Sequence, residues 1–404
     1  MSSKFCKNHL VPLAGRVIAG LLALSGCQPN TTPKAEVATA QKRVAALPAR
    51  PVAAVVAAPS FVGYHRYRGT VGTQPVILEL LVDASQNFGS KGLRCEGKYF
   101  YERRTGGDLV LKAPAPYRPG QPLHLLEDPT GTWQATQPLG PVLSGTWTSR
   151  AGRRLPFALR EDYQDAVRYE TLTHAARGPA CSPEYREYAA WRPFAELTQE
   201  FLHLLGPDTL RPALRRLQCP PPARRRARTR AAARQLDCAD AARSIGQSFN
   251  AYGLLAIKEG EYVNEYNGSR PHAEDRARLY DLRAGRWLTL AELLRPEADS
   301  LRLLEQLVSR HLVNNQDTNL EAQGRPDFYW QPGDSTIVAL PRSGVGFTSQ
   351  GLVLLYEPGE VSYGPAGPVE VYLSYPELLP LLRPASPVAR MLRERGLWRD
   401  GQKQ

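Results

Sequence analysis

Between residues 61 and 160 short apolar stretches alternate with turn residues, and that rhythm limits the folds open to this part of the chain. Val76-Ile77-Leu78-Glu79-Leu80-Leu81-Val82 reads as one strand, closed by turn residues from Asp83 to Gly92. Cys95 to Glu102 reads as a second strand, alternating towards Tyr99 and Tyr101. Asp108 to Lys112 follows a Gly106-Gly107 turn, and Leu123 to Glu127 comes next. Gly131-Thr132-Trp133 and Gly145-Thr146-Trp147 then repeat 14 residues apart, as the two arms of one hairpin would. Short strands at regular spacing with Gly and Pro turns predict an antiparallel sheet, sandwich or barrel.

The chain changes character after residue 163. Tyr169 to Thr173 fits a strand. Glu184 to Leu205 carries Tyr188, Trp191, Phe194, Leu197, Phe201 and Leu204 near helical spacing and stops at Gly206-Pro207, which predicts an amphipathic helix. Phe249 to Asn264 reads as two strands around a Lys258-Glu259-Gly260-Glu261 turn. Arg278 to Leu282 is a strand, Ala284-Gly285 a turn, and Thr289 opens a short helix. Ser300 to Leu312 is a second amphipathic helix. Gly351 to Tyr356 and Val369 to Leu373 are strands, and Tyr375-Pro376-Glu377-Leu378 starts a closing helix. The expected fold class is α+β: an N-terminal antiparallel β-rich domain (60–160), then an α+β domain (163–383) with helices packed on an antiparallel sheet, then a helical tail (384–404).

The N-terminus speaks of location. Lys4, Lys7 and Arg16 precede an apolar run from Val17 to Leu24, too short to cross a bilayer, and Leu24-Ser25-Gly26-Cys27 follows it. Basic, apolar and small residues in that order mark an export signal over 1–26. Residues 28–59 are rich in Pro, Ala and Thr with almost no aromatics, so they cannot bury enough surface to fold and read as a tether. Cys6 falls within the leader, leaving Cys27 and four others: Cys95, Cys181, Cys219 and Cys238. In an exported chain these four read as two disulfides. Cys219–Cys238, which closes a short loop, is the favoured pair, leaving Cys95–Cys181.

The formal charge of +12 is local in origin. Arg211 to Arg234 holds nine arginines and no acid, with Arg224, Arg225, Arg226, Arg228 and Arg230 as its densest patch. The patch lacks the interleaved aromatics that stack on nucleic-acid bases, so anionic lipid heads or lipopolysaccharide phosphates are the better expected partners, beside the plainer reading of a solvated helix or loop.

Two resemblances sharpen these readings. A leader ending in Leu-Ser-Gly-Cys resembles a bacterial lipoprotein signal, which implies cleavage before Cys27 and acylation of its thiol. Gln28 in the next position leans towards the outer membrane. The runs Tyr280-Asp281-Leu282 to Leu293 and Gly351 to Leu378 (with Gly367-Pro368-Val369-Glu370-Val371 and Tyr375-Pro376-Glu377-Leu378) resemble an extracytoplasmic domain of unknown function. That domain forms the outer part of lysozyme-sensing anti-sigma factors and the non-catalytic half of some peptidoglycan deacetylases. Where its relatives carry Ser-Tyr-Thr-Gly-Gly-Ala-His, this chain has Glu265-Tyr266-Asn267-Gly268-Ser269-Arg270-Pro271-His272, a departure that puts recognition through that loop in doubt. The Gly-x-Trp triplets resemble the lipocalin motif but stand at the wrong place in the sheet, so they read as core plugs of a solid β domain.

No catalytic pattern is found. The histidines are too far apart for a zinc pair, and Gly246-Gln247-Ser248-Phe249-Asn250 lacks the closing Gly of a nucleophile elbow. Glu357, Glu360 and Glu370 sit inside the recognised motif and could suggest a glycosidase pair, but a turn or solvent role suits them better. The expectation is therefore a lipid-anchored, non-enzymatic binding module without metal or cofactor. Its partner is lysozyme or a peptidoglycan fragment, with a contact surface around Tyr266, His272, Tyr356, Glu360 and Tyr363. The alternatives are a structural envelope lipoprotein or a cell-wall hydrolase.

Overall fold

Strands dominate the computed structural model, which describes residues 62–83, 93–182, 194–236, 238–265, 272–297, 299–313, 337–342, 344–361 and 368–398. Cys27, the tether, Tyr266 and Tyr363 lie outside these residues. The first eight strands are β1 (Gly63–Val71), β2 (Gln74–Asp83), β3 (Arg94–Tyr101), β4 (Leu109–Lys112), β5 (Pro122–Glu127), β6 (Gly131–Pro138), β7 (Val142–Ser149) and β8 (Arg154–Glu161). Each pairs antiparallel with the next, and β8 returns to β1 with Tyr67 opposite Glu161, so the sheet closes into a barrel. The two Gly-Thr-Trp triplets form one hairpin, with Trp133 directly opposite Trp147. Inward-facing Tyr67, Tyr99, Leu111, Trp133 and Phe157 fill the barrel as a close-packed core.

The expected α+β architecture with helices on an antiparallel sheet is overturned. After the barrel comes a six-stranded sheet of β9 (Tyr169–Ala180), β10 (Phe194–Leu204), β11 (Ala239–Ala251), β12 (Leu254–Glu265), β13 (His272–Asp281) and β14 (Arg286–Leu288). Its strands lie in sequential order, and β10 and β11 run parallel. A three-stranded sheet follows: β15 (Val345–Phe347), β16 (Gly351–Tyr356) and β17 (Val369–Ser374). The described helices are few: α1 (Pro222–Ala233), α2 (Leu290–Leu293), α3 (Asp299–Val313), α4 (Tyr375–Leu378), α5 (Pro387–Glu394) and two 3-10 turns. None is long and apolar enough to cross a membrane.

Two local corrections explain the change of class. The segment expected as a helix from Glu184 to Leu205 is strand β10 over its described part. Ala195 and Leu197 are buried while Phe194, Glu196 and Thr198 alternate outward, and pairing with β9 and β11 overrides the helical spacing. The turn expected at Lys258–Glu261 lies in mid-strand. The hairpin turns instead at Tyr252-Gly253, both with positive φ, where glycine supplies the left-handed backbone. The polar run is a cross-strand ladder, with Arg243–Glu261 at 2.9 Å and Lys258–Asp275 at 2.9 Å.

The later elements match the pattern more closely. Thr289 caps α2 and Ser374 caps α4, each through a reciprocal box with the glutamate three residues on, Glu292 and Glu377. The core of this half gathers Phe249, Leu279, Leu304, Val308, Leu354, Val371 and Met391, and it also takes in Ile77 and Phe100 from the outer face of β2 and β3. The barrel therefore shares a core with the segments that follow it.

The cysteine pairing also differs. The disulfide joins Cys181 to Cys238 and ties the end of β9 to the start of β11, while Cys95 and Cys219 are free thiols. Helix α1, about 18 Å long, lies between Cys219 and Cys238, so this stretch is not the coil that the short loop was expected to be. Cys95 points into the barrel, and burial, then the neighbouring Glu96, push its thiol pKa up to about 12.

Candidate functional site

The outer face of the barrel meets the six-stranded sheet over a cavity of about 420 Å³. Strand alternation places its walls. On β2, Leu78 and Leu80 point into the barrel, so Glu79 and Leu81 point out. Lys98 on β3 and Val110 on β4 face the same way, and Tyr169 on β9 with Ile245 and Gln247 on β11 close the far side. Leu81 and Val110 are exposed at the mouth.

Glu79 is the polar centre of the wall. It is buried, and its carboxylate accepts from Tyr64 Oη at 3.0 Å and from Gln247 Nε2 at 3.2 and 3.3 Å. Burial, only partly offset by the ammonium of Lys98 3.7 Å away, raises its pKa above the usual carboxylate value. Lys98 is pulled the other way. Burial disfavours its charge, but Glu79 and Asp108 outweigh burial and hold its pKa above normal. Its Nζ donates to Asp108 at 2.7 Å.

The network continues into the sheet. Fully buried Asn250 donates to Tyr64 Oη at 3.0 Å and to Val167 O at 2.8 Å, and accepts from Val167 N at 2.9 Å. Tyr64 stacks on Tyr169, with ring centroids 4.5 Å apart. The buried charges of the wall, Glu79 and Lys98, are thus partnered, which fixes their rotamers. No described residue in the lining forms a nucleophile–base pair, and no described cluster of His, Cys, Asp and Glu could hold a metal ion. The arrangement suits recognition: a preformed apolar mouth above a fixed polar wall.

Of the contact surface expected from sequence, Tyr266 and Tyr363 lie outside the described residues, and the other three are placed separately. Tyr356 is a core residue, 2% exposed, whose hydroxyl donates to Ala339 O at 3.1 Å. Strand β16 is buried along its whole length, so the aromatic faces inward. Glu360 accepts from the Glu357 amide at 2.7 Å across a turn. His272, exposed at the start of β13, pairs with Glu274 at 2.9 Å. Tyr356→Ala is accordingly expected to lower stability by about 3 kcal/mol, read as a lower thermal midpoint. The sequence pattern hides the cavity because its residues sit in strands. The one signal was Glu79, a charge inside the otherwise apolar Val76–Val82 run.

No protein-family model matches the chain, and no curated protein matches it. Solved structures similar to part of it include the following two. One is a member of the DUF3298 family from Bacteroides fragilis, with a TM-score of 0.42 and 14% identity, covering 56% of this chain and 99% of that one. The other is a DUF3298 family protein from Pseudomonas aeruginosa, with a TM-score of 0.38 and 18% identity, covering 55% and 97%. The neighbours are domains of unknown function.

Proposed function

We propose that the chain is a non-enzymatic binding module of the bacterial cell envelope, anchored through an acylated Cys27, and that the cavity between barrel and sheet receives its ligand. The reading is supported by the cavity wall, where Glu79, Lys98, Tyr64 and Gln247 are locked by one another beneath an apolar mouth. The resemblance to lysozyme-sensing domains suggests lysozyme or a peptidoglycan fragment. A space of about 420 Å³ favours the fragment, because a folded protein could insert no more than a side chain or a loop tip. Sugar rings with amide and hydroxyl groups match an apolar rim over a polar wall.

Titration of the protein with fluorescently labelled muropeptides tests this. Val110→Trp, which fills the exposed mouth, is expected to weaken capture at least tenfold without lowering the thermal midpoint. Binding that is unchanged in Val110→Trp would remove the cavity from the proposal.

A further inference from the structure

Helix α1 carries a surface that the cavity does not explain. Its inward face is Arg225, Thr229 and Ala233, buried against β9 and β10. Arg225 donates to His174 Nε2 at 3.0 Å and to Pro220 O at 2.9 Å. Gly178 lets the helix sit directly on the sheet, since a Cβ there would lie 2.3 Å from Ala233 O. The helix is thus fixed in one rotation.

That rotation exposes Arg224, Arg226, Arg228 and Arg230. At about 100° per residue, Arg224 with Arg228 and Arg226 with Arg230 form two rows on either side of an outer ridge of Ala223, Ala227 and Ala231. None of the four arginines has an ion pair among the described residues. No acid stands in the first turn, and the N-cap Pro221 makes no side-chain cap bond. Like charges at i,i+4 and arginines at the positive end of the helix dipole both oppose the helix. The field is felt nearby: partial burial, then the charges of Arg225 and Arg226, lower the pKa of His174.

We propose that this face docks on an anionic phospholipid bilayer. The geometry favours a flat, multivalent partner. The guanidiniums diverge around the ridge instead of converging on a cleft, so a single small anion would meet one row at most. The alanine ridge is low enough for the helix to lie along a headgroup plane with a phosphate within reach of each row. A bilayer would also remove the local repulsion that the fold leaves uncompensated. This proposal is independent of the cavity and of acylation.

Sedimentation with lipid vesicles separates the outcomes. The full-length chain carrying Cys27→Ser, which cannot be acylated there, is mixed with vesicles of phosphatidylcholine alone or with about a third phosphatidylglycerol. At low salt the expected partition coefficient is roughly a hundredfold higher on the anionic vesicles, falling steeply as salt rises. Replacing Arg224, Arg226, Arg228 and Arg230 by Gln should abolish that preference while the circular dichroism melt holds or rises, since the four side chains are exposed and their mutual repulsion is removed. Equal partition onto both vesicles, or an anionic preference that survives the fourfold replacement, would overturn the proposal.

Discussion

Arg395→Leu is expected to destabilise the protein by about 4–5 kcal/mol, read as a lower urea midpoint at unchanged slope. Arg395 follows α5 and is 1% exposed. Its Nε donates to Glu102 O at 2.9 Å, Nη2 to Arg104 O at 2.8 Å, and Nη1 to Ser349 O at 2.6 Å. The guanidinium also packs near the rings of Phe100 and Tyr375, 5.3 and 5.8 Å from their centroids. One side chain therefore joins the end of β3, the β15–β16 turn and the C-terminal helix.

Burial lowers the pKa of Arg395, so the fold holds this charge against a desolvation cost that the three carbonyls offset. Leucine fills part of the volume but leaves those carbonyls without their donor, and each buried orphan costs about 1–3 kcal/mol. Lysine restores the charge without the planar fork, and one ammonium cannot meet three diverging acceptors. Arg395→Lys should therefore recover less than half of the loss. A urea midpoint for Arg395→Leu equal to wild type would show that the three carbonyls need no donor from Arg395.

The sequence exposed the barrel better than its surroundings, and the reason is periodicity. Strands β3 to β7 are short and separated by turn residues, and β5 alternates strictly, so local spacing carries the information, down to the Trp133–Trp147 register. Closure does not show, because Tyr67 and Glu161 pair across almost a hundred residues and nothing local marks them as edges. The outward burial of Ile77 and Phe100 is hidden for a similar reason: an apolar residue on the solvent side of a small barrel looks like an exception until a second core covers it.

Beyond residue 163 two different structures share one pattern. Leu197, Phe201 and Leu204 fit a helical face as well as they fit a strand with a buried end, and only pairing with β9 and β11 decides. Lys258 to Glu261 has the composition of a turn because β12 runs out from the core as a ribbon whose charges pair across strands. The disulfide turned on helix α1: a loop of 18 residues between Cys219 and Cys238 is easily closed as a coil, but Pro222 to Ala233 is helical. Cys181 reaches Cys238 instead and closes a much longer loop, worth about 4 kcal/mol in the chain-entropy model. The cavity was the least legible feature, since Glu79, Tyr169 and Gln247 converge only when barrel and sheet meet.

The second large effect is expected inside the barrel. Glu127, at the end of β5, is 3% exposed, and its Oε2 accepts from Tyr99 Oη at 2.9 Å, Trp133 Nε1 at 2.9 Å and Trp147 Nε1 at 2.8 Å. Thr130 Oγ1 donates to Oε1. An acid in a barrel core is costly by itself, but here it accepts from three aromatic donors at once. Burial, then the carboxylate, push the Tyr99 hydroxyl pKa far above its ordinary value, so it stays a donor at every working pH. Glu127→Leu should cost about 4 kcal/mol and shift the tryptophan emission, since both indoles lose their acceptor. The decisive measurement is a double-mutant cycle with Tyr99→Phe. In the wild-type background Tyr99→Phe removes one bond to a charged acceptor and should destabilise by about 1.5–3 kcal/mol. In the Glu127→Leu background the same change removes an orphaned hydroxyl and should be neutral or stabilising. A reversal of that kind arises only if the carboxylate is what makes a polar rim tolerable in this core; equal costs in the two backgrounds would mean that the aromatic packing holds the barrel without it.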